Sequence, residues 1–295
     1  MEHQSEPRVS GTSTLPPAGW YPDPHNPETT QRWWNGKEWA DAHAPIDTPV
    51  VDPQDPPRPL SRLQAVAVAG LIVVAFLEAF NIYADGVYLG VIEDLLDQED
   101  VATTRIDDAE QVVDIAAIAL AAGSLVIGPL AFLPWFYRGY LNLRRLGLRN
   151  LRYSPGWAIG SWFIPIFNLF RPKQIANDLQ RATHGGTLHT TGRINDQPVA
   201  PLLHWWWAMY LLGNFIAISA FSGVDEEEEI LTQSQALDTL EEEQAIYGAD
   251  IAASLVSIVA VVLAVLVIKR ITREQETVIA SPSATLHQYV TPPST

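Results

Sequence analysis

Three polar side chains stand inside otherwise apolar runs of this 295-residue chain: Glu78, Asn168 and Asn214. An ionisable group at membrane depth is costly unless it meets a partner, a water-filled cavity or a ligand, so Glu78 is a candidate functional residue. Its ordinary alternative is a contact with Asn81 and Asp85, or with water, toward the outer end of its helix. Asn168 follows Pro165 within one apolar run. A proline-broken segment at membrane depth frees backbone groups that can face a cavity or an ion. Asn168, Asn214 and Glu78 are therefore the polar contacts a transport site would use. His184 and His189 lie in a polar loop without nearby Cys or convergent carboxylates, which argues against a metal ligand set. The chain has no cysteine, so thiolate chemistry and disulfides are excluded. Serine-hydrolase, zincin, phosphate-loop and dinucleotide-glycine patterns are missing as well. The expectation is a non-catalytic protein with no cofactor and no metal.

The elements that position these residues are spans that read as membrane helices, at about 65–84, 112–137, 201–221 and 249–268. A bilayer crossing needs roughly 20 predominantly apolar residues. Gly156–Phe170, only 15 residues and broken by Pro165, is too short to cross comfortably. Arg138, Arg144, Arg145, Arg149 and Arg152 precede it, and Arg171 and Lys173 follow. Basic residues stay on the cytoplasmic side, so this segment should enter and return, or lie along the inner surface. Leu141, Leu143, Leu146, Leu148 and Leu151 interleave with those arginines, which suits an anionic inner leaflet.

The net charge of −16 conceals a segregation, and mean hydropathy is only +0.05 because polar termini and loops dilute the apolar spans. Of 34 acidic residues, eight fall between Glu93 and Glu110 and ten between Asp225 and Asp250, accompanied by Arg105 alone. The remaining basic residues lie N-terminal, in 138–200, or in the C-terminal tail. Both termini and the central basic module should then be cytoplasmic, with two acidic connections outside. No domain-scale basic face remains for nucleic acid. No cleavable signal is expected, so the first span would act as an uncleaved one. The two like-charged external stretches are read as solvated, with cation bridging as the alternative.

Residues 1–18 are polar and expected to be disordered, and 44–62 form a Pro-rich linker. Between them, 19–43 hold Trp20, Tyr21, Trp33, Trp34 and Trp39 around Asn35-Gly36, a strong hairpin signal. A self-packing aromatic β-hairpin is the plain reading, and a groove for a Pro-rich peptide the sharper one. The pattern Gly19-Trp20-Tyr21-Pro22-Asp23-Pro24, then Arg32-Trp33-Trp34-Asn35-Gly36-Lys37-Glu38-Trp39, resembles domain of unknown function 2510. That module commonly precedes membrane domains in actinobacterial proteins. Its usual Trp-Thr-x-x-His ending is here Trp39-Ala40-Asp41-Ala42-His43.

The runs Tyr153-Ser154-Pro155-Gly156-Trp157-Ala158, Trp162-Phe163-Ile164-Pro165-Ile166 and Asn168-Leu169-Phe170-Arg171-Pro172-Lys173-Gln174 resemble the signature of domain of unknown function 4328. The resemblance covers about Leu63 to Arg270 and implies an integral membrane protein without an assigned activity. The expected fold is all-α and membrane-integral: four spans in two hairpins, a re-entrant or interfacial segment 156–170, and the N-terminal module. The membrane domain is read as 63–270 and the tail 271–295 as disordered and cytoplasmic.

The leading functional expectation is a membrane adaptor in the plasma membrane, able to form a homo-oligomer. It would bind the anionic inner leaflet and protein partners through the aromatic module, with Trp157, Pro165, Asn168, Arg171 and Pro172 as further interaction residues. The alternative is a small transporter, channel or lipid-handling protein that uses segment 156–170.

Overall fold

The computed structural model describes residues 18–25, 30–45, 55–97, 102–148, 151–189, 194–221 and 233–281. The expectation of disorder in 1–17 and 282–295 lies outside the described residues, as do residues 46–54 of the linker.

The N-terminal block is a three-stranded antiparallel sheet rather than a lone hairpin, in the order β1 (Gly19–Pro22), β2 (Thr30–Trp34), β3 (Trp39–Pro45). Gly36 at φ 97° allows the β2–β3 reversal, and the Asn35 side chain accepts from the backbone N–H of Lys37 (2.7 Å) and Glu38 (2.8 Å). An Asx turn of this kind is why Asn-Gly marks the loop. Trp34 pairs with Trp39 edge to face at 5.2 Å, and Trp20 with Trp33 at 5.5 Å. The strand added by Gly19–Pro22 places Trp20 opposite Trp33. Asp23, almost fully buried, ties the ends of the motif together. Its carboxylate lies 3.2 Å from Nε2 of His43 and accepts the backbone N–H of His25 at 2.9 Å. That backbone bond is the main reason its pKa is held below the usual carboxylate value.

Three described helices are long and apolar enough to cross a membrane: α1 (Ser61–Leu96), the continuous helix Thr103–Arg145, and Thr239–Ala280 within α8 (Gln233–Ala280). Only 28%, 22% and 33% of their most apolar stretches is buried by protein, the inverse of a water-soluble core. Ile72, Phe76, Ile118, Leu125 and Leu130 point outward, where hydrocarbon can cover them. The fourth expected span forms α7 (Pro201–Phe221), packed along α8. His204, Tyr210 and Asn214 dilute its apolar character, and it does not join the other three.

The spans run past their expected limits. α1 continues 12 residues beyond Ala84, and α8 begins at Gln233 and continues through Ala280, so residues 271–280 are helix rather than tail. The acidic stretches are thus built partly into helix ends, with Arg105 paired to Asp94 across the first connection. The second span is not a uniform α-helix. α2 (Thr103–Ala122) widens into a π-helical turn at Gly123–Ile127 before α3 (Gly128–Arg145), and Gly128 N–H reaches the Gly123 carbonyl. Pro129 has no N–H for the fourth carbonyl back, so the ladder shifts by one residue there.

Segment 156–170 does not form a span. It folds into two single turns, α4 (Trp157–Gly160) and α5 (Pro165–Asn168), with Ile164 extended between them, and leads into α6 (Arg171–Ala182). The flanks return to one place, where the Tyr153 hydroxyl donates to the Gln174 side chain. Pro165 and Pro172 each occupy a first helical turn, where a missing N–H costs nothing. Phe163, Ile166 and Leu169 are outward-facing, while Ala158 and Ser161 are fully buried.

Candidate functional site

Two polar assemblies occur in the helical region, and they differ in kind. The first lies where α3, α6 and the C-terminal part of α8 meet. Asn142 is fully buried; its amide accepts the Arg58 N–H (3.0 Å) and donates to the Arg58 carbonyl (2.7 Å) and to Gln275 (3.0 Å). Gln275 in turn donates to the Gly139 carbonyl, and the Trp135 indole donates to Thr272 Oγ1 at 2.9 Å. Glu276 accepts the N–H groups of Leu60 (2.6 Å) and Ser61 (3.0 Å), so a carboxylate from α8 caps the start of α1. Arg145 meets Asp55 at 2.8 Å. The end of the Pro-rich linker is thereby strapped to α3 and α8. Around these bonds sit Trp135, Phe136, Tyr140, Leu143, Ile175, Leu179 and Ile271, all fully buried.

Arg171 belongs to this end. Its guanidinium lies 3.9 Å from the ring centre of Trp157, 3.6 Å from Phe167 and 5.3 Å from Tyr153. Three of the motif residues thus form an aromatic cage for a fourth. Lys173, largely buried, donates to Asn177, and burial followed by the nearby Arg181 lowers its pKa to about 8. Asp178 is raised, chiefly by burial, against the pull of Arg152 at 4.0 Å. Trp206 and Trp207 are buried in this core; the Trp207 indole donates to the Leu169 carbonyl at 3.2 Å, and Trp205 alone of the three faces outward. His184 stacks near His189 and contacts Gln180 at 2.7 Å. Among the described residues no group of three metal-ligating side chains forms.

The second assembly is a cavity of about 550 Å³ at the depth of the apolar spans, between α1, the π-helical turn, segment 156–170, α7 and α8. Glu78, Asn168 and Asn214, far apart in sequence, all line it. Glu78 is only 7% exposed and is hydrogen-bonded to Ser254 and Ser257 of α8. Asn168 donates to the Tyr210 hydroxyl (3.1 Å), which orients both toward the same space, while the Asn214 amide donates back to the Tyr210 carbonyl (2.7 Å). Behind Glu78, the Asn81 amide donates to Asp85 and to Asp250, each at 2.9 Å. The rest of the wall is apolar or aromatic and includes Phe132, Trp162, Phe163 and Trp206.

Asp250, Ser254 and Ser257 were not singled out from the sequence, yet a signal for them exists. Glu78, Asn81 and Asp85 are spaced i, i+3, i+7, and Asp250, Ser254 and Ser257 i, i+4, i+7. Each set is a one-sided polar stripe on a helix. Two such stripes at equal depth are the pattern of facing helices.

Long apolar helices with outward-facing side chains define a helical membrane protein, and the interior cavity gives it a binding-site geometry. The chain belongs to the family described as domain of unknown function (DUF4328), whose model matches residues 97–273, more than half of it. The model of protein of unknown function (DUF2510) matches residues 18–52. Helix α1, with Glu78, Asn81 and Asp85, precedes the first match, while Asp250, Ser254 and Ser257 lie within it. No curated protein and no solved structure matches the chain.

Proposed function

We propose that this is a non-catalytic multi-pass protein of the cell membrane that binds a small amphiphilic molecule within the bilayer, as a transporter or lipid-handling protein does. One observation carries the reading: three polar residues from α1, segment 156–170 and α7 converge on one apolar-walled cavity of about 550 Å³. Volumes of roughly 300–1,000 Å³ with a few converging polar groups are typical of ligand sites. Leu125 and Phe163, both lining residues, are 76% and 66% exposed, which gives the cavity a lipid-facing side. In this reading α7, 21 residues and so about 31 Å long, is the fourth crossing. The strapped end, where the arginines gather, faces the cytoplasm with both termini.

The test is quenching of tryptophan fluorescence in nanodiscs by a zwitterionic amphiphile with a brominated ten-carbon chain, since Trp162 and Trp206 line the cavity. Saturable quenching is expected, and Ser124→Phe, which fills the cavity from an exposed position, should abolish the saturable part. Equal quenching in that variant would remove the cavity as the site. Impermeant thiol labelling of Ser234→Cys but not Ser154→Cys on intact cells would support the orientation, and the reverse pattern would invert it.

A second reading, partner recruitment by the N-terminal sheet, has its own observation. The Trp33 indole N–H is buried with no hydrogen-bond partner among the described residues, beside the half-buried Trp20. The half-buried rings of Trp20 and Trp33, edge to face at 5.5 Å, present the aromatic surface on which a Pro-rich peptide would stack. Binding of a decaproline peptide that is lost in Trp33→Phe is the expected result, and no binding would leave the sheet as a self-packed unit.

A further inference from the structure

The cavity's charge and walls narrow its ligand to one chemical class, an inference that rests on the binding-cavity reading above. We infer that the cavity takes an amphiphilic cation, with its positive nitrogen at Glu78 and its apolar body along the aromatic wall.

Charge comes first. The ionisable lining residues other than Tyr210 are Glu78 and Asp250, and no Lys, Arg or His is among them. Any formal charge the site holds is therefore negative. Asp85, beside Asp250, is not a lining residue. Asn81 fixes the pair by donating to both at 2.9 Å, which leaves Glu78 as the carboxyl that faces a ligand singly. Ser254 and Ser257 serve it from the α8 side. A carboxylate has about four acceptor positions, so capacity remains toward the cavity. A buried charge without a partner is expensive, and a cationic head provides one, whereas an anionic head meets like charge.

The walls make the same selection. Trp162, Trp206, Tyr210, Phe132 and Phe163 surround the space, and the face of an aromatic ring attracts a weakly hydrated cation. The apolar remainder suits an alkyl or ring body and explains why the site sits at the depth of the spans.

The experiment uses the full chain in nanodiscs and three amphiphiles with the same brominated ten-carbon chain, bearing a trimethylammonium, a sulfobetaine or a sulfate head. The ammonium probe is expected to saturate quenching at about one-tenth the concentration of the other two, the order of effect of one desolvated charge pair. Glu78→Gln should erase that advantage, so that the ammonium and sulfobetaine probes saturate at the same concentration. Asp250→Asn is the second variant should Glu78→Gln fail to fold, and it should reduce the advantage in part. Equal saturation by all three heads would overturn the cation inference while the cavity reading stands. Saturable quenching by none would overturn both, and preference for the sulfate would overturn the inference outright.

Discussion

The two ends of the helical region handle buried polarity in opposite ways. At the strapped end the bonds of Asn142 close on protein: Arg58 and Gln275 take both amide N–H groups, the amide oxygen accepts the Arg58 N–H, and Leu, Ile and aromatic side chains seal the surroundings. At the cavity end Glu78 is as buried as a core residue, yet it borders open space. A satisfied network fixes a structure, while a carboxyl held beside a void is poised for something that enters. A closed bond network at one end and a lined cavity at the other are the contrast on which the proposed ligand site rests.

The sharpest way to break this contrast is to remove the centre of the strapped end. Trp135→Ala should cost ~3–5 kcal/mol, the range for a fully buried aromatic side chain, and Asn142→Ala about 1–3 kcal/mol, from the partners left unpaired. Both should lower the thermal midpoint in detergent, whereas Glu78→Gln in the same assay should shift it by less than about 1 kcal/mol, because no buried partner is stranded. A Glu78→Gln loss as large as that of Asn142→Ala would make the cavity carboxyl structural.

Close helix contact supplies the next test. A Cβ added to Gly70 would lie 2.3 Å from the Ala131 Cβ, where only the helices themselves can yield. At Gly123 the obstacle at 2.4 Å is Leu77 Cδ1, the end of a flexible side chain. Gly70→Ala should therefore destabilise by ~1–3 kcal/mol, and Gly123→Ala by clearly less. Equal effects would show that the α1–α3 contact does not set the frame.

The smallest expected effect is a pH dependence at the strapped end. Lys173 has a folded pKa of about 8 against an ordinary 10.5, with burial as the largest cause and Arg181 next. Between those values the unfolded chain binds more protons, so this group makes stability rise with pH across that window, while below pH 8 its full penalty persists. The window from 8 to 10.5 corresponds to ~3 kcal/mol at full effect, which solvent screening reduces to ~1 kcal/mol in unfolding titrations, and Lys173→Met should flatten it. An unchanged slope in that variant would place the charge of Lys173 in solvent.

Much of this frame was legible in the residues. Apolar length marked the three spans, Pro165 marked the break in 156–170, and Asn35-Gly36 marked the sheet's tightest turn. The helix ends were legible in part: Leu95 with Leu96, and Leu237 with Leu240, mark helix within the acidic stretches, while the continuation of α8 through the polar residues 271–280 was not, because span detection follows apolarity. Glu78 stood out alone; its partners Ser254 and Ser257 are ordinary residues whose meaning depends on facing it.

Composition and charge order by themselves determined that this chain is built of long apolar helices around a short broken segment, because backbone in hydrocarbon must bond to itself and arginine avoids crossing. Only the tertiary structure decided which faces meet. It brought Glu78, Asn168 and Asn214 to one cavity and closed Asn142 into a core, since convergence across 136 residues of chain, from 78 to 214, comes from helix packing and leaves no local mark.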